Sequence, residues 1–167
     1  DGVITALSNF AKLPVPDRAP FAVEQCVREA LDTNPLPDTI QLTIDCPSSL
    51  PPAVADSDQV RIVFANLIRN AREAMPQGGR LSVTARGVDG GIETTVADTG
   101  VGIPAEQLSR VMEPLYSTKA RGLGLGLSMA RAILEKNGGS LRAGSEPGRG
   151  STFTVFLQAD RKEDHNS

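Results

Sequence analysis

Apolar and polar residues alternate on both sides of Asp89-Gly90-Gly91, and this constrains the chain more than any other feature. Leu81, Val83 and Ala85 precede the turn, and Ile92, Thr94 and Val96 follow it. Period-2 alternation broken by Asp-Gly-Gly predicts a β-hairpin with one buried face. The return strand runs into Asp98-Thr99-Gly100-Val101-Gly102-Ile103-Pro104, so a carboxylate reaches the lip of the sheet with two glycines behind it. Lacking a Cβ, Gly100 and Gly102 let a ligand come close to the backbone. Asp-Thr-Gly is also ordinary turn chemistry, so by itself the stretch reads equally well as a tight turn.

A chain of 167 residues, 40% hydrophobic, has enough material for one domain with a sizeable core. No apolar run is long enough to span a bilayer. The net charge of -3 argues against a binder of nucleic-acid backbones, which carries a marked Lys/Arg excess. Cys26 and Cys46 stand singly in apolar surroundings and read as buried thiols of a cytosolic protein. His165, the only histidine, falls in a polar tail, which removes His-based triads and most zinc sites.

Val3, Ile4, Leu7, Phe10 and Ala11 recur at helical spacing until Pro14 and Pro16. That segment reads as the end of a helix that begins upstream, so the chain is expected to be part of a longer protein. Residues 14–20, proline-rich and charged, read as a linker or stiff turn. Val23, Cys26, Val27, Ala30 and Leu31 predict an amphipathic helix ending before Pro35, and Ile40, Leu42 and Ile44 a half-buried strand. The strongest helix follows, capped by Asp56 or Ser57, with Val60, Val63, Phe64, Leu67, Ala71 and Ala74 as its apolar stripe. Asn66, Asn70 and Glu73 share one face beside that stripe. Asparagine is a poor helix former, and two asparagines at this spacing suit coordination from a rigid helix, although each alone reads as a solvated side chain.

Pro104 is expected to open a short helix through Val111. Glu113 to Gly122, without periodicity and containing Ser117, Thr118, Lys119 and Arg121, reads as a loop over a site. Gly122-Leu123-Gly124-Leu125-Gly126-Leu127-Ser128 then opens the helix of Met129, Ala130, Ile133 and Leu134. Glycines there leave free N–H groups at a helix N-terminus, where the dipole favours anions. Two strands close the domain, Ser140 to Ser145 and Ser151 to Leu157. Gly100-x-Gly102-x-x-Ala105 formally fits a dinucleotide fingerprint, but it follows a hairpin and is interrupted by Pro104, and that fingerprint needs a βαβ crossover. No P-loop pattern occurs.

Taken together, Asn66-Leu-Ile-Arg-Asn70-Ala, Asp98-Thr-Gly-Val-Gly102-Ile, Glu113-Pro-Leu-Tyr-Ser-Thr-Lys119, Gly122-Leu-Gly-Leu-Gly126-Leu and Gly148-Arg-Gly-Ser-Thr152-Phe resemble, in order and spacing, the N, G1, F, G2 and G3 boxes of sensor histidine kinases. The resemblance covers about residues 20–158 and is closest to the nitrogen- and oxygen-sensing branch. It implies the Bergerat ATP-binding fold shared with type II topoisomerases, the ninety-kilodalton heat-shock chaperones and mismatch-repair ATPases. That is an α/β (α+β) two-layer sandwich, a mixed β-sheet backed by a layer of helices. The implied organisation is the end of a dimerisation helix over residues 1–13, a linker over 14–20, the catalytic domain over 21–158 and a polar tail over 159–167.

The resemblance also implies roles. Asp98 would accept a hydrogen bond from the adenine amino group, with Gly100, Gly102 and Ile103 nearby. Asn70 would hold Mg2+ and Asn66 would lie beside it. Lys119, Arg121, Gly122, Leu123, Gly124, Leu125 and Gly126 would wrap the triphosphate, and Thr152 would lie at the phosphate end. Two positions depart from the family pattern: Leu115-Tyr116 replaces a pair of aromatics, and Glu73 stands where many relatives carry Lys. Phosphate neutralisation would then pass to Arg69, Arg72 or Lys119.

In ATP-hydrolysing relatives a Glu four residues before the metal-binding Asn activates water. Asn66 has no such basicity, so the expected reaction is transfer of the γ-phosphoryl group to a histidine of an upstream dimerisation domain, and thence to a response regulator. His165 is not expected to be the acceptor. The implied setting is cytoplasmic, in a homodimeric parent, without membrane or nucleic-acid contact by this domain. A GHKL-type ATPase, an anti-sigma-type serine kinase and a non-transferring regulatory module are the competing readings.

Overall fold

The computed structural model of the protein describes residues 14–104 and 123–160. The helix expected before Pro14, the body of the one expected after Pro104, the loop through Gly122 and the tail with His165 lie outside the described residues. In chain order the described elements are β1 (Ala19–Phe21), α1 (Val23–Thr33), β2 (Ile40–Asp45), β3 (Ala53–Ala55), α2 (Ser57–Ala74), β4 (Gly79–Val88), β5 (Gly91–Asp98), α3 (Leu123–Lys136), β6 (Ser140–Glu146) and β7 (Gly150–Gln158).

The expected hairpin is β4–β5, antiparallel from Leu81↔Asp98 to Val88↔Gly91. It forms the middle of a sheet ordered β2-β4-β5-β7-β6. β2 runs parallel to β4, and the remaining pairs are antiparallel. Alternation then decides the faces. Leu81, Val83 and Ala85 of β4, Ile92 and Val96 of β5 and Phe153, Val155 and Leu157 of β7 are buried in one core with residues of all three helices. The other face is polar, with Thr95 beside Thr154 and Glu93 paired to both Arg86 and Arg142. The result is the expected two-layer sandwich, a mixed sheet backed by helices.

α2 is capped by Asp56, whose carboxylate accepts from the N–H groups of Asp58 and Gln59; Ser57 is already helical. Val60, Val63, Phe64, Leu67, Ile68 and Ala71 of this helix are essentially solvent-free. α3 ends in a glycine cap, with Gly138 at φ +76 and the Gly139 N–H on the Leu134 carbonyl.

Two expectations need correction. Residues 14–20 are not wholly linker: Ala19–Phe21 pairs with Ala53–Ala55 as a separate two-stranded sheet. Three-residue strands carry no alternation to read, and Pro20 is tolerated because this sheet has no central strand. β2 is less buried than its alternation suggests, with Leu42 41% exposed, because it is an edge strand. The glycine-leucine stretch opens its helix as expected: α3 begins at Leu123, so Gly124 and Gly126 lie in its first turn.

Candidate functional site

Asp98 is the last residue of β5 and points to the helix side of the sheet, where it is 8% exposed. Its Oδ1 accepts the Gly100 N–H at 2.8 Å and the Ser151 N–H at 3.3 Å. Burial raises its pKa above the ordinary 3.8, and those two N–H groups partly offset the rise. Neither of these bonds uses Oδ2, so that oxygen can serve an outside donor.

The chain after Asp98 is strapped to its neighbours. The Val101 N–H reaches the Ala74 carbonyl at the end of α2, and the Val101 carbonyl accepts the Gly148 N–H of the β6–β7 turn. The Ile103 N–H donates to Ser145 Oγ at 2.6 Å; that hydroxyl donates to the Gly150 carbonyl and lies 2.8 Å from Ser151 Oγ. The glycines serve this strap. A Cβ at Gly100 would stand 2.4 Å from the Ala74 carbonyl oxygen. At Gly102, with φ +76, a Cβ would stand 2.2 Å from the Glu146 carbonyl oxygen. The close approach expected of a ligand at these two positions is thus made by the protein's own backbone.

The C-terminal half of α2 contributes Asn70, Glu73 and Ala74 to the same site. Asn70 is nine-tenths buried, and its Nδ2 has no hydrogen-bond partner among the described residues. Buried amides are normally paired, so an orphan at the wall of a cleft marks a place for an external polar group. Asn66, one turn earlier, is engaged differently: its Oδ1 accepts from Arg69 Nη2 at 2.9 Å and its Nδ2 reaches the Gly126 carbonyl at 3.4 Å. It ties α2 to the first turns of α3. Arg72 is turned away, donating to the Pro35 carbonyl.

A cleft connects these parts, lined by Asn70, Glu73, Ala74, Asp98, Val101, Gly102, Ile103, Ser151 and Phe153. Of the residues singled out from sequence, Asn70, Asp98, Gly102 and Ile103 meet there. Gly100 supports the wall without lining it, Asn66 sits at the α2–α3 contact, and Leu123, Gly124, Leu125 and Gly126 form the first turn of α3. Lys119, Arg121 and Gly122 lie outside the described residues. Thr152 is misplaced by the expectation: it pairs with Ala97 and is exposed on the polar face of the sheet. Its neighbour Ser151 faces the cleft. The alternation Phe153, Val155, Leu157 puts residue 151 on the buried face, so the signal for Ser151 was present.

Among the described residues no group of three His, Cys, Asp or Glu side chains could hold a metal unaided. The donor set instead suits a cation carried in by an oxygen-rich ligand. Asn70 offers a hard amide oxygen, and the orphaned Nδ2 can donate to an adjacent anionic oxygen.

A carboxylate and a buried amide without a described partner, lining one apolar-walled cleft, suit a ligand with a hydrogen-bonding ring edge and an anionic tail, the recognition problem of nucleotide-binding ATPase domains. Residues 55–161 match the family described as histidine kinase-, DNA gyrase B-, and HSP90-like ATPase, and the chain belongs to that family. It is 42% identical over 118 residues to the sensor histidine kinase ZraS of Escherichia coli (strain K12), covering 71% of this chain and 25% of that protein. It is 34% identical over 139 residues to sporulation kinase E of Bacillus subtilis (strain 168), covering 81% of this chain and 19% of that protein. The chain therefore spans a quarter or less of the length of these two relatives. The structure of full-length ShkA in complex with AMPPNP superposes with a TM-score of 0.77 at 26% identity, over 95% of this chain and 36% of that one. The catalytic domain of histidine kinase ThkA has the same fold, with a TM-score of 0.75 at 24% identity, over 86% of this chain and 96% of that one. No described helix is long and apolar enough to cross a membrane.

Proposed function

We propose that this domain binds Mg-ATP and delivers the γ-phosphoryl group to a histidine on a dimerisation domain of the parent protein, for relay to a response regulator. The observation that carries the reading is the cleft that Asp98 and Asn70 both line, a carboxylate acceptor and a buried amide without a partner among the described residues. In this reading Asp98 Oδ2 accepts the adenine amino group, a charge-assisted bond worth about 1.5–3 kcal/mol. Ile103, Ala74 and Phe153 supply apolar wall, and Asn70 Oδ1 holds the cation. When bound, Mg2+ would neutralise charge on the β- and γ-phosphates. The N-terminal turn of α3 offers backbone N–H groups and a favourable dipole to the same phosphates.

The lack of a basic side chain at position 66 favours transfer over hydrolysis. Asn66 has no basicity, and both ends of its amide are already engaged, by Arg69 and by the Gly126 carbonyl. Catalysis then rests on positioning and charge neutralisation. The test supplies radiolabelled ATP to the full-length parent, or to this chain plus a separate dimerisation domain. The expected product is an acid-labile phosphohistidine on the dimerisation domain. Its absence in both experiments, or rapid steady-state ATP hydrolysis by this chain alone, would sink the proposal.

A further inference from the structure

We infer that Glu73 makes nucleotide binding conditional on the divalent cation, its carboxylate opposing metal-free nucleotide and accepting the cation-bound form. This rests on the reading of the cleft as an ATP site.

Glu73 follows Asn70 by three residues on α2, a spacing that puts two side chains on one helix face, and both line the cleft. The described lining contains no Lys or Arg; its two ionisable groups, Glu73 and Asp98, are both acids. The nearest basic side chains of α2 are directed elsewhere, Arg69 to Asn66 Oδ1 and Arg72 to the Pro35 carbonyl. A bare triphosphate entering beside Asn70 therefore meets a carboxylate with no described cation in the lining to balance it.

Asn70 independently marks the place where the ligand's polar end belongs. It is nine-tenths buried, and its Nδ2 lacks a partner among the described residues. A single neutral amide is a weak anchor for Mg2+, which is ordinarily held by one or two carboxylates together with substrate phosphates and several waters. Asp98 Oδ1 is taken up by the Gly100 and Ser151 N–H groups, and Glu73 is the carboxylate within one helical turn of Asn70. With the cation present, the charge that repels the phosphates becomes a partner for the metal or for a water of its shell. Because Glu73 is exposed, the effect is screened and moderate.

The test measures ATP affinity of the full chain by calorimetry, in saturating Mg2+ and in excess EDTA, for the natural chain, Glu73→Gln and Glu73→Lys. Removing the carboxylate is expected to strengthen metal-free binding by about threefold to tenfold, while Mg-ATP binds equally or more weakly. The ratio of the two affinities then narrows, and Glu73→Lys narrows it further. A general disturbance of α2 would weaken both forms alike and leave the ratio unchanged. An unchanged ratio in both variants, with Mg-ATP still bound, overturns the role of Glu73 alone. If the natural chain binds ATP in neither condition, the reading of the cleft as an ATP site fails, and this inference fails with it.

Discussion

The backbone N–H of Ser151 donates to Asp98 Oδ1 across 3.3 Å, so the carboxylate at the end of β5 is held from the neighbouring strand β7. Together with the Gly100 N–H, this fixes one oxygen and presents the other. The group is buried and charged, a costly combination. Such a cost is tolerated where the charge has work to do.

Asp98→Asn should therefore separate stability from binding. Burial raises the folded-state pKa above 3.8, so the folded protein holds this proton more tightly than the unfolded chain does. Between 3.8 and the raised value, stability attributable to Asp98 grows as pH falls; above that window the buried charge is a penalty. The amide variant is expected to match or exceed the natural chain in urea midpoint at pH 7, with any advantage shrinking toward pH 4. Nucleotide affinity should move oppositely, falling roughly tenfold or more in the variant. In the natural chain it should decline as pH drops through the raised pKa. A variant that is less stable at pH 7, or binds ATP unchanged, contradicts this account.

Asn137 occupies a second buried polar position with a structural purpose. It is fully buried; its Nδ2 donates to Gln59 Oε1 and the Ile133 carbonyl, and its Oδ1 accepts the Asp56 N–H. Gln59 in turn donates to the Pro14 carbonyl, and Asp56 Oδ2 accepts the Asp17 N–H. Asn137→Ala leaves the Asp56 N–H and the Gln59 amide short of partners, at a cost of about 2–4 kcal/mol in denaturant unfolding. Hydrogen exchange at the amides of Asp17 and Asp56 should accelerate beyond what the global loss explains.

Gly102→Ala tests the strap. The backbone there has φ +76, and an added Cβ would stand 2.2 Å from the Glu146 carbonyl oxygen. The variant should lose about 1–3 kcal/mol in urea unfolding and bind ATP more weakly, because the segment carrying Val101 and Ile103 shifts out of the cleft wall. Unchanged stability would mean that the β6–β7 turn yields without cost.

Much of this architecture is legible in the residues because alternation is legible: Leu81, Val83 and Ala85 against Ile92, Thr94 and Val96 specify both the hairpin and its buried face. Helix α2 is equally plain, since an apolar stripe marks its 18 residues behind an aspartate cap. Its wall asparagine is visible for the same reason, and so is the carboxylate that ends the hairpin. β1 and β3 are not visible, because three residues cannot show a period and their pairing joins segments far apart in sequence. The glycines were legible as special but not in purpose: a missing Cβ announces a close approach, without saying whether backbone or ligand comes near. Thr152 and Ser151 show a related limit, since adjacent hydroxyl residues differ only in which face the strand register gives them.

The two cysteines should react in a fixed order. Cys26 is 3% exposed with its thiol near the Ser57 carbonyl, and burial pushes its pKa up to about 12. Cys46 is half-buried, and its pKa is also raised, by burial first and then by Glu24 and Asp45. Iodoacetamide attacks the thiolate, so at pH 8 labelling should be slow at Cys46, faster as pH rises, and negligible at Cys26 until the domain unfolds. Peptide mass mapping checks the order; early labelling of Cys26 would mean that the contact between α1 and α2 opens in the native state.

The neighbouring hydroxyls of β7 offer the sharpest check on the cleft. Ser151 is buried, faces Asp98 and lies 2.8 Å from Ser145 Oγ, whereas Thr152 is exposed on the far face of the sheet. Replacing Ser151 with Val adds apolar bulk where the ring edge of a nucleotide would sit and removes the hydroxyl paired with Ser145. ATP affinity should fall by roughly tenfold, the equivalent of about 1.4 kcal/mol. Thr152→Val changes a side chain that the cleft does not include, and affinity should stay within about twofold of the natural chain. Calorimetric titration of both variants decides between the two faces: loss at Thr152 with tolerance at Ser151 would place the ligand on the polar side of the sheet.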